Sequence, residues 1–208
     1  MNPIAQILVD HDVVKTQFQN PFTWVSGIRS PIYCDCRELI SISEAREAIV
    51  DALVKKIQAE NFPVDFVSGT ATAGIPWAAF VAQRLGKPML YVRPEPKGHG
   101  AGKQVEGRGE MGKNILVVED ALSTAGSSVR SAEALRKELD ATVEHILAIF
   151  SWDTPAAPEK AKNANLKLWP LTEFGEIADA LEARGKISAE ERAELERFHD
   201  DPPAWWQG

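Results

Sequence analysis

Hydrophobic and polar positions follow two different rhythms along this chain. Early on the spacing is helical. Ile4, Ile7, Leu8 and His11 share one face, and Ile49, Leu53 and Ile57 share another. The first face predicts a helix from Pro3 to about Lys15, capped by Asn2, with Pro3 in the first turn where an N–H has no helical partner. Ser41-x-x-Glu44 reads as a capping box opening the second helix. Between the two, Phe22 to Tyr33 reads as a hairpin turning near Ser26-Gly27.

From residue 64 the rhythm changes to short apolar runs separated by amphipathic ones. Strands are predicted at Val64–Ser68, Met89–Val92, Asn114–Glu119 and Thr142–Phe150. Helices are predicted at Pro76–Leu85, stopped by Gly86, and at Ser127–Leu139. Runs with no polar side belong to strands buried on both faces. Their alternation with helices argues an α/β fold around a mostly parallel sheet. Right-handed crossovers bring the strand-exit loops to one sheet edge, where ligands bind in such folds. After the prolines at 155 and 158, Glu173–Arg184 and Ser188–His199 read as helices, the second opening on the box Ser188-x-x-Glu191. The tail from Pro202 to Trp206 predicts a docking segment, since two indoles left in water would waste much apolar area.

Three strand-exit loops carry the chemistry. In the first, Ile115–Val118 runs into adjacent acids, Glu119 and Asp120. Ala121, Leu122, Ser123, Thr124, Ala125, Gly126 and Ser127 then lead into a helix. Amides at a helix N-terminus lack intrahelical partners and suit a phosphate. Two carboxylates beside that cradle would repel the phosphate, so they suit neutral hydroxyls or a metal ion. A ligand with a phosphate at one end and a diol nearby is a sugar phosphate. In the second loop, Gly69-Thr-Ala-Thr-Ala-Gly74, bulky side chains are missing. Thr70, Ala71 and their neighbours can therefore bring backbone amides close to a diphosphate. The third, Arg93 to Gly109, has glycine at positions 98, 100, 102, 107 and 109 and the cations Arg93, Lys97, His99, Lys103 and Arg108. It reads as a lid that gathers positive charge over a diphosphate.

The order apolar run, Glu-Asp, two variable residues, Ser-Thr, small residue, Gly-Ser resembles the phosphoribosyl-diphosphate signature of the type I phosphoribosyltransferase family. Arg93, Lys97, Gly98, His99 and Gly100 resemble the catalytic loop of its orotate-using branch, as does the segment Phe22 to Tyr33. The resemblance implies a single domain over residues 1–208: a core of about 43–152 and a small hood built from about 1–42 and 153–208. It implies transfer of ribose 5-phosphate from phosphoribosyl diphosphate to orotate, with adenine, xanthine or uracil as alternative acceptors, or a non-catalytic sensor. Lys97, His99 and Asp120 would be catalytic. Arg93, Lys97, His99, Thr70, Ala71 and residues 119–127 would bind the diphosphate substrate, while Ser123, Tyr33 and Arg37 would bind orotate. Mg²⁺ would travel with the diphosphate, and the lid of one subunit of a homodimer would reach its neighbour. The chain departs from the family pattern at Pro94 and Val25, where many members carry lysine. It departs again at Ser151-Trp152-Asp153, where some carry the arginine for the orotate carboxylate; Arg29 is a second candidate for that role beside Arg37.

Net charge is −7, which gives a nucleic-acid partner little electrostatic support. No apolar run is long enough for a membrane span and no signal pattern opens the chain, so the expectation is a cytoplasmic protein acting on small molecules. Cys34 and Cys36 read as reduced thiols, because a bridge over so short a span is strained. His11, His145 and His199 read as packing or surface residues, with no second metal ligand at suitable spacing.

Overall fold

The computed structural model of the chain describes residues 1–23, 27–96 and 102–206. Its contacts divide it into two compact units, Met1–Leu39 with Thr172–Gly208, and Ile40–Leu171.

The larger unit holds helix α2 (Ser43–Ala59), strand β5 (Phe66–Thr70), α3 (Gly74–Leu85), β6 (Met89–Val92), β7 (Val105–Glu106), β8 (Ile115–Leu122), α4 (Gly126–Leu139), β9 (His145–Ser151) and α5 (Ala156–Asn163). A further strand, β10 (Lys167–Glu173), carries the chain out of it. The sheet order is β10-β9-β8-β5-β6-β7. β6, β5, β8 and β9 are parallel, and β7 runs antiparallel to β6. The expected mostly parallel α/β sheet is therefore present. All five residues of β5 are buried, as are the first five of β8. On one face Phe66, Val117, Ile146, Ala132, Leu135 and Leu166 form a core under α4 and α5. Trp77 and Val81 of α3 are fully buried, where α3 packs against β5 and β8.

Several boundaries differ from the expected ones. β5 starts two residues late because Asp65 is used as a clasp: its carboxylate accepts from Asn114 N at 2.9 Å and Asn114 Nδ2 at 3.0 Å. β9 starts at His145, while Thr142 makes only an isolated bridge to Asn114. β8 continues past Glu119 to Leu122, because β9 stays alongside it, with Ala121 opposite Phe150 and Leu122 opposite Ser151. The two acids thus lie within a strand rather than beyond it. The Ser41 capping box does not form. Ser41 ends a 3₁₀ turn (Cys36–Ser41) and Ile42 caps α2, which puts Glu44 at the second helical position, out of step with a box.

The smaller unit contains α1 (Pro3–Asp10), β1 (Val14–Thr16), β2 (Phe22–Thr23), β3 (Arg29–Ser30), β4 (Ile32–Cys34), α6 (Phe174–Ala183), α7 (Ala189–Asp200) and α8 (Pro202–Trp205). Asn2 caps α1 as expected, with Oδ1 accepting from Ile4 N at 2.8 Å. The helix stops at Asp10 rather than near Lys15. Asp12 turns left-handed, with φ of 57°, and Val14–Thr16 leaves to pair with β4. Tyr33 consequently belongs to β4, whereas the Phe22 hairpin is only the short pair β2–β3. Its expected turn at Ser26 lies outside the described residues. The Ser188–Glu191 box closes as predicted, with reciprocal bonds of 2.9 and 3.2 Å. The tail docks on α7: Trp205 packs edge-on to Phe198, and its Nε1 donates to Glu194 at 2.5 Å.

Candidate active site

Because β5, β6 and β8 are parallel, the loops that follow them leave from one edge of the sheet. After β5 the chain makes a tight turn containing a cis peptide between Ala71 and Thr72. Ala71 N donates to Val92 O at 2.9 Å, which joins this turn to the end of β6. Two glycines permit the close fit. A Cβ on Gly69 would lie 2.8 Å from Gly74 O, and one on Gly74 would lie 2.6 Å from Val118 O. The turn therefore rests directly on β8. Thr70 is 4% exposed, and its Oγ1 has no hydrogen-bond partner among the described residues. A buried donor left unpaired is costly in a finished core. Thr70 lines a small cleft with Ala71, Arg93, Pro94, Ser127, Arg130 and Ser131.

The lid is not a free loop throughout. Its two ends form a ribbon, with Val92 opposite Val105 and Arg93 N donating to Gln104 O at 3.0 Å. Glu138 near the C-terminus of α4 grips the returning arm, accepting from Gln104 N at 2.8 Å and Val105 N at 3.3 Å. Sequence reading missed both features, since two strand residues among glycines give no periodic signal. Lys97 and His99 lie outside the described residues. Replacing Glu138 with alanine should speed amide hydrogen exchange at Gln104 and Val105 by about tenfold or more, because bonds to a charged acceptor are worth roughly 1.5–3 kcal/mol. Exchange measured by NMR checks this.

The adjacent acids divide their work. Glu119 is buried. Its Oε2 accepts from Ser128 Oγ at 2.9 Å and Ser127 Oγ at 3.2 Å, and its Oε1 from Asp120 N at 3.3 Å. Burial first, then the charge of Asp120, pushes its carboxyl up to about 8. Asp120 is only partly covered. Glu119 thus braces the first turn of α4, and Asp120 is the acid that solvent and ligand can reach. Folding holds a proton on Glu119 that the unfolded chain releases near 4.5, so stability falls as pH rises from about 4.5 to about 8. Calorimetry should show a melting temperature that falls across this window in the native chain. The fall should be smaller in Glu119→Gln, which carries no titrating proton at that position.

Beyond β8, Ser123 and Thr124 are exposed, and Ala125 takes a left-handed φ of 55° at the cap of α4. No side chain caps that helix, so its first amides are open to a ligand. Thr154 Oγ1 fixes the loop from below by donating to Ser123 O at 2.6 Å. In the smaller unit, Arg37 donates to Tyr33 Oη at 3.2 Å. It also binds Asp35 through both Nε and Nη2, each at 2.6 Å, and this lowers the Asp35 carboxyl. Tyr33 and Arg37 are thus brought together, with the guanidinium already matched to a carboxylate. Arg29 donates to Thr23 Oγ1 at 2.9 Å and lies over the Trp206 ring at 5.7 Å. The described residues contain no group of three or more His, Cys, Asp or Glu arranged to hold a metal.

An open helix terminus, paired acids and a glycine-tight turn thus gather on one sheet edge. The chain belongs to the phosphoribosyltransferase family: residues 38–168 match the model of the phosphoribosyl transferase domain. Relatives that match it over almost their whole length bear the name orotate phosphoribosyltransferase. The Streptococcus sanguinis enzyme of that name is 42% identical over 97% of this chain and 96% of its own length. A Bacillus cereus one is 42% identical over 97% of each. The crystal structure of the Aeropyrum pernix orotate phosphoribosyltransferase superposes with a TM-score of 0.76 at 32% identity, covering 89% of this chain and 99% of that one.

Proposed function

We propose that this chain transfers ribose 5-phosphate from 5-phosphoribosyl 1-diphosphate to N1 of orotate, giving orotidine 5′-phosphate and diphosphate in pyrimidine biosynthesis. The supporting observation is that the loops following β5, β6 and β8 leave from one edge of the sheet, in a chain whose relatives bear the orotate name over almost its whole length.

The C1–oxygen bond breaks with its electron pair leaving on the diphosphate, while N1 of orotate forms the new bond to C1 and gives up its proton, which the departing diphosphate can take. Two needs follow: the leaving group must be neutralised, and the cationic sugar must be steadied and kept dry. The amides from Ser123 to Ser127 seat the 5′-phosphate, with Ala121 and Leu122 fixing their approach. Asp120 accepts from the ribose hydroxyls. Glu119 holds the α4 turn behind it, and the accessible carboxylate of Asp120 supplies the negative potential near C1. Thr70 Oγ1 and the Ala71 turn receive the diphosphate, with Arg93 beside them. Lys97 places a compact charge on the departing oxygens, and His99 supplies a hydrogen bond or proton there. Ser123 also touches the pyrimidine. Tyr33 and Arg37 are assigned to orotate, whose carboxylate would exchange with Asp35 for the guanidinium. The diphosphate oxygens, with the accessible carboxylate of Asp120 nearby, would hold Mg²⁺, which would supply charge neutralisation. One accessible acid suits an ion kept mainly on phosphate oxygens and water rather than in a protein cage.

The chain acts in the cytoplasm as a homodimer whose lid crosses to the neighbouring site. No helix among the described residues is long and apolar enough to cross a membrane. The test is a panel of acceptors with phosphoribosyl diphosphate and Mg²⁺. Orotate alone should be consumed. Turnover with adenine, xanthine or uracil but not with orotate would replace the acceptor, and binding without any turnover would make the chain a sensor.

A further inference from the structure

The first turn of α4 is surrounded by more positive charge than its amides provide. The position that a side chain at Gly126 would fill is bounded by Arg130 Nη1 at 3.5 Å, Thr124 Oγ1 at 3.5 Å and Lys160 Nζ at 3.7 Å. Arg130 reaches back one helical turn from within α4, whereas Lys160 comes across from α5. Two cations from different elements therefore meet over one uncapped helix end. Neither is paired with an acid among the described residues, although the chain has 30 acids against 23 lysines and arginines. Like charges, a helix terminus and no counter-charge repel one another until an anion arrives. Arg130 also lines a small cleft together with Thr70, whose buried hydroxyl has no partner among the described residues, so the same side chain borders the proposed diphosphate side of the site.

We propose that Arg130 and Lys160 clamp the phosphate at the 5′ end of the ribose from two sides, Arg130 from the diphosphate side and Lys160 from α5. This rests on the reading of the Ser123–Ser127 loop as the seat of that phosphate. Absence of a Cβ at Gly126 leaves room for the phosphate oxygens between the two cations. The clamp holds a part of the substrate that does not react. It therefore acts on binding of substrate and transition state alike, raising KM when lost with little change in kcat.

The test uses two probes with the whole chain. Ribose 5-phosphate carries the 5′ phosphate without the diphosphate; inorganic diphosphate is the reverse. By calorimetry, Arg130→Met and Lys160→Met should each weaken ribose 5-phosphate about tenfold, the size expected for one charge-assisted bond, and leave diphosphate nearly unchanged. Arg130→Lys should recover part of the loss, since it keeps the charge but not the fork. Both side chains are exposed, so the variants should melt with the native chain. Unaltered ribose 5-phosphate affinity in either methionine variant overturns the clamp. So does a loss that falls on diphosphate instead. The acceptor panel is read separately. Variant-sensitive ribose 5-phosphate binding in a chain without turnover would sink the enzymatic reading and keep the clamp, and the opposite pattern would sink the clamp alone.

Discussion

Lys97→Ala should lower turnover of phosphoribosyl diphosphate with orotate by roughly a hundredfold or more, the usual cost of removing one preorganised donor from developing charge. The loss should fall on kcat. Negative charge grows on the diphosphate as its bond to C1 breaks, so a cation at that oxygen does more for the transition state than for the bound substrate. The lid is built for such a role. Its stem is pinned by the β6–β7 ribbon and by Glu138, and the segment between them is glycine-rich and cationic. Lys97-Gly-His-Gly-Ala-Gly offers no large apolar side chain to a core, so the melting temperature should not change. His99→Ala should behave likewise. Native rates in both variants would remove the lid from the chemistry.

Gly74→Ala should be damaging for a different reason. The added methyl would sit 2.6 Å from Val118 O and 3.3 Å from Glu119 Cα, both backbone atoms of the central strand. Neither can swing aside as a side chain would. The expected cost is about 2–3 kcal/mol, at the upper end for an overpacked site. In a chain of this size that lowers the melting temperature by roughly 5–10 °C. The same push lifts the Thr70–Ala71 turn off β8, so activity should fall with stability. Gly86→Ala provides the control. It changes a glycine that, unlike Gly74, sits at positive φ with nothing within 4 Å, so it should destabilise through backbone strain and leave the site intact. A thermal melt and a rate on each variant separate the two mechanisms. A native-like melt for Gly74→Ala would mean the turn does not rest on β8 as described.

The central sheet was legible because buried parallel strands leave continuous apolar runs, as at Ile115–Val118. Gly86 was legible as a stop because an αL cap favours glycine, and its φ is 64°. What escaped the sequence depends on distant partners. Val14 leaves the first helix for a strand only because Cys34 waits opposite it. β7 is two residues long and exists through Tyr91, Val92 and Glu138. The stretch after Pro155 hides α5 and β10, whose prolines at 158 and 170 break any simple pattern. In the site, the acids and small residues were visible as a string, but their division of labour was not. Only packing shows that Glu119 turns inward to two serines while Asp120 stays accessible. Arg130 and Lys160 carried no motif, being ordinary helix cations 30 positions apart until the fold brings both to Gly126.

The most direct measurement is calorimetric titration of the native chain with phosphoribosyl diphosphate in the presence of Mg²⁺. Saturable binding at one site per chain, weakened in Asp120→Asn, is the predicted result. No heat of binding over the concentrations that saturate such a site, from a chain that melts cooperatively, would contradict the account at its base.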